Sequence, residues 1–150
     1  MKYWMTFSCC LLLAAATSAQ SAEDSVKAAV NQLFTAMRSS DPALLRTAFT
    51  DSAILQTIVS SKDRPVSVGS ERVNDFAELV GKRPRGDLDE RIQFDVIRID
   101  GPLAIVWAPY VFYLKGTKHH CGVDSFQLLR VNGVWKIQYL IDTRRASPCD

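Results

Sequence analysis

His120, Asp124, Thr143 and Arg145 are the residues whose types and placement suit acid–base work or the holding of a polar ligand. An imidazole serves as base or hydrogen-bond partner near neutral pH, and a carboxylate does either once its surroundings shift its pKa. Spacing limits what they can do together. On a strand, His120 and Asp124 are about 13 Å apart, so they cannot share one proton or one metal ion. His119 and Cys121 would point away from His120. His119-His120-Cys121 is therefore not read as a metal cluster, and no metal or cofactor is expected. Tyr110, Tyr113 and Tyr139 add hydroxyls able to donate to a ligand oxygen, although Tyr139 also reads as core filling. No nucleophile or nucleotide motif is present.

The strands that carry these residues are set by Asn132-Gly133, the strongest short hairpin signal in the chain. A two-residue turn there places Val131 opposite Val134 and Leu128 opposite Ile137. Unbroken pairing then gives Phe126 opposite Tyr139, Asp124 opposite Ile141, Gly122 opposite Thr143 and His120 opposite Arg145. That face is apolar near the turn and polar at the far end, as a pocket with an apolar floor and a polar rim requires. With Arg145 opposite, His120 is expected to be neutral, since a positive neighbour disfavours imidazolium. Its structural alternative is a hydrogen bond to Tyr113. Asp124 lies between Gly122 and Phe126 and needs partners, because burying a lone carboxylate is costly. It is either a base or ligand anchor, or a rim carboxylate paired with Arg145 or capping backbone amides. On the other face Asp142 and Arg144 read as an exposed salt-bridge pair. A bulge near Ala108-Pro109 is expected, because Pro109 has no N–H for a ladder. It leaves open whether Trp107 or Tyr110 points inward.

Earlier elements read as helices. Val26, Ala29, Val30, Leu33, Phe34 and Met37 recur at helical spacing, behind a Ser21–Asp24 capping box. Asp41-Pro42 starts a short second helix. Ser70 is expected to cap a third, which Gly81 would end in a left-handed conformation. Strands are expected over residues 53–59, 66–68, 91–100, 103–115, 118–131 and 134–145. Helices first and strands last argue for an α+β class with the helices on one face of the sheet.

Lys2 followed by the apolar run Met5–Ala16 and the small residues Thr17-Ser18-Ala19 has the layout of a signal peptide, so residues 1–19 are expected to be removed. The remaining residues 20–150 form one domain with no stable membrane span. Export places the chain in the periplasm or outside the cell if bacterial. Of the four cysteines, Cys9 and Cys10 leave with that segment. Cys121 and Cys149 remain, either as one disulfide or as two thiols. Apolar residues make up 47%, charged residues 23%, and the net charge is +2, as in an ordinary globular domain. Lys82, Arg83 and Arg85 flank Pro84 and Gly86 as a solvated loop, and nothing supports a nucleic-acid surface.

Val106–Tyr110, His120–Leu128, Gly133–Ile137 and Asp142–Arg145 together resemble exported bacterial members of the nuclear transport factor 2-like superfamily, those labelled "putative lumazine-binding" or SnoaL-like. The resemblance implies a cone-shaped, curved antiparallel sheet with three N-terminal helices packed on its concave face, often as a homodimer. It implies a pocket for a small apolar or aromatic ligand, for which Tyr110, Tyr113, His120, Asp124, Tyr139, Thr143 and Arg145 are the candidate contacts. Three functions remain open: a small-molecule-binding domain, a proton-transfer enzyme (isomerase, cyclase or dehydratase) with Asp124 or His120 as base, and a structural domain with a filled cone.

Overall fold

The computed structural model describes residues 10–61 and 64–149, with side chains described for 22–60 and 65–149. Residues 1–9 of the segment read as a signal peptide lie outside them. Helix α1 spans Cys10–Ser39 and runs straight through Ser21, so the Ser21–Asp24 box does not start it. The Leu- and Ala-rich stretch before Ser21 favours helix and contains no breaker. Ser40, at φ 56°, turns the chain out of α1. Helix α2 (Pro42–Thr47) follows, and Asp41 caps it as expected by accepting from the Leu44 N–H at 2.9 Å. Helix α3 (Val73–Gly81) departs from expectation at both ends. Its N-cap is Arg72 rather than Ser70, and Gly81 stays helical. Gly81 serves contact instead: a Cβ there would meet Pro42 Cγ at 3.0 Å, so the missing side chain lets α3 lie against α2.

Seven strands form one open, curved sheet in the order β2-β1-β7-β6-β5-β3, with β4 beside β3 on the β5 edge. They are β1 (Phe49–Ser61), β2 (Arg64–Glu71), β3 (Leu88–Ile92), β4 (Val96–Asp100), β5 (Leu103–Leu114), β6 (Thr117–Val131) and β7 (Val134–Thr143). All neighbours are antiparallel except β1 and β7, which are parallel. Helix α1 lies across the concave face against β3 and β7. Its Val26, Val30, Leu33, Phe34 and Met37 close the core over Ala104, Val106, Phe126, Leu128 and Ile137. Phe34 meets Phe126 edge-on, with ring centroids 6.3 Å apart.

Three irregularities decide which residues face that concave side. The first is in β7. Leu128 pairs with Ile137 as expected, but Gln127 then pairs with Tyr139, leaving Gln138 as an extra residue. Side chains hold this bulge: Thr50 Oγ1 donates to Gln138 Oε1 at 2.7 Å, and Gln138 Nε2 donates to the Ser52 carbonyl at 3.1 Å. Beyond it the register moves by one, so Asp124 lies opposite Asp142 and Cys121 opposite Arg145. The expected pairs of Phe126 with Tyr139, Asp124 with Ile141, Gly122 with Thr143 and His120 with Arg145 do not form.

The second irregularity is at His119. Phe112 pairs with His120 and Tyr113 with Lys118, so Tyr113 does not face His120. The third is the disturbance expected at Pro109, which falls on the neighbouring strand. β5 and β6 pair without interruption through Ala108–Asp124 and Pro109–Val123. The expected strand over 91–100 breaks instead, at residues 93–95, into β3 and β4. There the Gln93 and Asp95 N–H groups donate to the Pro109 and Trp107 carbonyls at 2.9 and 3.1 Å. Parity along β5 is therefore kept. Tyr110 is buried and points inward, and Trp107 is outward and 46% exposed.

Candidate functional site

Between α1, α3 and the concave sheet lies a cavity of about 350 Å³. Leu33, Phe34 and Met37 of α1, Phe76 of α3, Leu55 of β1 and Leu140 of β7 give it apolar walls. Its charged lining is Glu71, Glu90, Asp124, Asp142 and Arg144, with Gln56, Thr57 and Ser70 as neutral polar side chains.

Asp142 and Arg144 reach the cavity because the Gln138 bulge turns the end of β7 over. The ion pair expected on the outer face thus forms at the cavity, with Arg144 Nε donating to Asp142 Oδ2 at 2.7 Å. Thr57 Oγ1 donates to Asp142 Oδ1 at 2.6 Å, and Arg144 Nη2 donates to Thr57 Oγ1 at 3.0 Å. The Tyr110 hydroxyl completes the cluster, 2.9 Å from the Thr143 carbonyl and 3.1 Å from Asp142 Oδ2. Burial first, then the nearby carboxylates, push the Tyr110 phenol up, so it stays a donor. Gly122 is required beneath it. A Cβ at 122 would collide with the Thr143 carbonyl and come within 2.9 Å of Tyr110 Cε1.

Asp124 is only 3% exposed, and its Oδ2 meets no hydrogen-bond donor among the described residues. Its side-chain partner is the Glu90 carboxyl. Two carboxyls in contact must hold a proton between them, because two buried carboxylates repel. Burial, then Glu90, then Asp142 raise Asp124 well above the ordinary carboxylate range. Glu90 is pushed up to about 7, chiefly by burial, with Asp142 adding to the shift while the Asp124 hydrogen bond and Arg144 oppose it. The pair therefore offers the cavity a shared proton and the acceptor oxygens of both carboxyls.

The remaining candidates lie elsewhere. His120 stands outside the cavity lining and stacks on Phe112 and Tyr110, at centroid distances of 4.9 and 5.7 Å. Its Nδ1 lies 2.8 Å from His119 Nδ1. The expected neutrality has a different cause: burial first, then Arg144 rather than Arg145, hold its pKa down at about 4. Thr143 turns outward, where its hydroxyl accepts from the Val123 N–H at 3.1 Å. Arg145 donates to the Pro148 carbonyl at 2.9 Å. Tyr113 carries Arg91 over its ring at 4.3 Å. Tyr139 donates to Gln56 Oε1 at 2.7 Å instead of filling the core. Cys121 and Cys149 sit at disulfide distance, with Cα atoms 5.7 Å apart. No group of His, Cys, Asp and Glu able to hold a metal ion occurs among the described residues, and none of their helices is long and apolar enough to cross a membrane.

Glu90 is the residue that the sequence reading lacked. The signal was available: Leu88, Glu90 and Ile92 share one face of a strand, so a carboxylate sits between two inward apolar residues. Starting that strand at Arg91 hid it.

The family described as "Putative lumazine-binding" matches residues 21–139. The chain belongs to this family. The family match contains Glu90, Tyr110 and Asp124 and ends before Asp142, Arg144 and Cys149. No curated protein matches the chain. Among solved structures, an NTF2-like protein with a cystatin-like fold from Novosphingobium aromaticivorans aligns with TM-score 0.69 at 12% identity, covering 95% of this chain and 94% of that one. An NTF2-like protein of unknown function from Silicibacter pomeroyi gives 0.67 at 15%, covering 85% and 98%. Another, from Shewanella baltica, gives 0.63 at 16%, covering 85% and 96%. These likenesses show the nuclear transport factor 2-like fold.

Proposed function

We propose that this is an exported protein that binds a small molecule in the cavity, with the ligand's apolar body against Phe34, Met37 and Phe76 and its polar end on Glu90 and Asp124. The observation that carries the reading is Asp124 Oδ2, buried at an apolar cavity with no donor of its own. A buried polar atom left unpaired costs free energy that a ligand group can recover. A volume of about 350 Å³ suits a small organic molecule. The family's description, which names a heterocycle, agrees with such a ligand. Export rests on the N-terminal segment and on two cysteines placed to bond, which suits an oxidising compartment. Homodimerisation belongs to the same proposal, since the outer face exposes Ile105 and Trp107. Sedimentation velocity showing only monomer at all concentrations would remove that part. The binding test is a thermal-shift screen of a ligand library on wild type and Asp124→Asn. Ligands that raise the melting temperature of wild type, and less so the variant, are expected. No shift from any compound would sink the reading.

A second reading, proton-transfer catalysis, is favoured by one observation. The Glu90–Asp124 pair shares a proton and Glu90 is pushed up to about 7, so the cavity holds carboxyls that can give and take a proton near neutral pH. His120, outside the cavity, is not placed for that role. Deuterium exchange from solvent into a bound ligand, lost in Glu90→Gln, would support catalysis; no exchange into any bound ligand would leave simple binding. The open cavity gives the filled-cone alternative no support.

A further inference from the structure

We propose that the cavity selects an organic cation: an amidinium, guanidinium or primary ammonium head on an apolar or aromatic body, with its N–H groups given to Glu90 and Asp124. The inference rests on the binding reading above and names the ligand's charge class.

The charges lining the cavity are unbalanced. Glu71, Glu90, Asp124 and Asp142 face it, and Arg144 is the one basic side chain lining it among the described residues. Arg144 is already committed, since its Nε holds Asp142 and its Nη2 holds Thr57. Glu90 and Asp124 make no salt bridge among the described residues. Of the other polar groups at the cavity, the Tyr110 hydroxyl is turned to Asp142 and the Thr143 carbonyl, Gln56 donates to Ser70, and Glu71 on β2 adds a further carboxyl. The carboxyl pair is therefore rich in acceptors and poor in donors.

A ligand head must complement that balance. An anion would add a further negative charge. A neutral amide offers N–H groups and also a carbonyl, which needs the pair's single proton. A cation with two or more N–H groups supplies only donors, and its charge offsets the repulsion between the carboxyls. The proton held between Glu90 and Asp124 then leaves to solvent as both become carboxylates. Phe34, Met37 and Phe76 suit the rest of such a ligand, because aromatic faces attract cations and thioethers pack on rings.

Benzamidine, benzamide and benzoate share one shape and carry positive, zero and negative charge. Their binding to the full chain would be measured by calorimetry in two buffers of different ionisation enthalpy, with Glu90→Gln and Asp124→Asn alongside. Both variants keep side-chain size, and their melting temperatures report whether they fold. Benzamidine is expected to bind at least about tenfold more tightly than benzamide, to release a proton, and to weaken about tenfold or more in Glu90→Gln. Benzamide or benzoate binding as well as benzamidine would overturn the cation class while leaving the cavity as a binding site. Failure of benzamidine while neutral library compounds bind would do the same. If neither the three probes nor the library binds, the binding reading itself falls.

Discussion

Asp124 and Asp142 lie directly opposite one another on β6 and β7, both at the cavity, yet they carry opposite surroundings. Asp142 receives Thr57 and Arg144 and lies beside the Tyr110 hydroxyl. Asp124 receives no conventional donor and leans on Glu90. Two like side chains facing each other thus have different partners: Asp142 is held by donors, and Asp124 by another carboxyl.

Stability should fall as the pH rises through neutrality, because the native state holds protons that the unfolded chain releases. Glu90 moves from 4.5 to about 7 on folding, and Asp124 moves in the same direction. Carboxyls with raised values contribute fully below the unfolded value and lose that contribution as pH passes through the folded one. Glu90→Gln and wild type should melt together near pH 4, and the variant should melt higher at pH 8. A difference that does not change with pH would contradict the proton-sharing pair.

His120 should produce the opposite slope on the acid side. Its pKa falls from 6.5 to about 4 on folding, because burial and then Arg144 disfavour imidazolium. The unfolded chain therefore binds the extra proton in this range. His120 contributes fully above about 6.5 and loses that contribution as pH falls through about 4. Between these limits it works against Glu90 and flattens the profile. An NMR titration of the imidazole should give a midpoint near 4, and a midpoint at or above 6 would place the ring in water rather than against Phe112 and Tyr110.

Local signals in the chain carried most of the fold. Asn132 and Gly133 have φ of 51° and 84°, the left-handed pair that a tight hairpin requires, so dipeptide chemistry located the turn. Asp124 was legible as inward because Phe126 shares its parity. Which of its neighbours joined it was not, because the Gln138 bulge depends on Thr50 and Ser52, far away in sequence. That one extra residue exchanged Thr143 and Arg145 for Asp142 and Arg144 at the cavity. Pro109 was a true signal whose effect fell on the strand beside it. A missing N–H disturbs whichever partner would have received it, and sequence alone does not name that partner.

Gly122→Ala should be among the costlier single-methyl changes in the protein. The added Cβ has no free space between the Thr143 carbonyl and the Tyr110 ring. Forcing it in displaces the carbonyl that the Tyr110 hydroxyl uses. Overpacking of this kind costs roughly 1–3 kcal/mol. Chemical denaturation should show a loss in that range. A change near zero would mean that β7 is free to move away from β6 at Thr143, and that the Tyr110–Asp142 contact is not held in place from below.

Loss of the Cys121–Cys149 bond should destabilise the chain without altering the cavity. The two residues are 28 apart, and a loop of that size is worth about 3–4 kcal/mol in the chain-entropy description. Cys121 is buried, so replacing it would add an unrelated packing cost; Cys149→Ser is the cleaner variant. It should melt lower than wild type under oxidising conditions and match wild type once reductant is added. The backbone pairing between Cys121 and Arg145 lies next to the bond, so the Arg145 N–H should lose hydrogen-exchange protection in the variant. Asp142 is held from the other side by Thr57, so probe binding at Glu90 and Asp124 should change less than twofold, well short of the tenfold that marks a lost contact. Cys121 and Cys149 both found alkylated in the unreduced wild-type chain by mass spectrometry would overturn the bond itself.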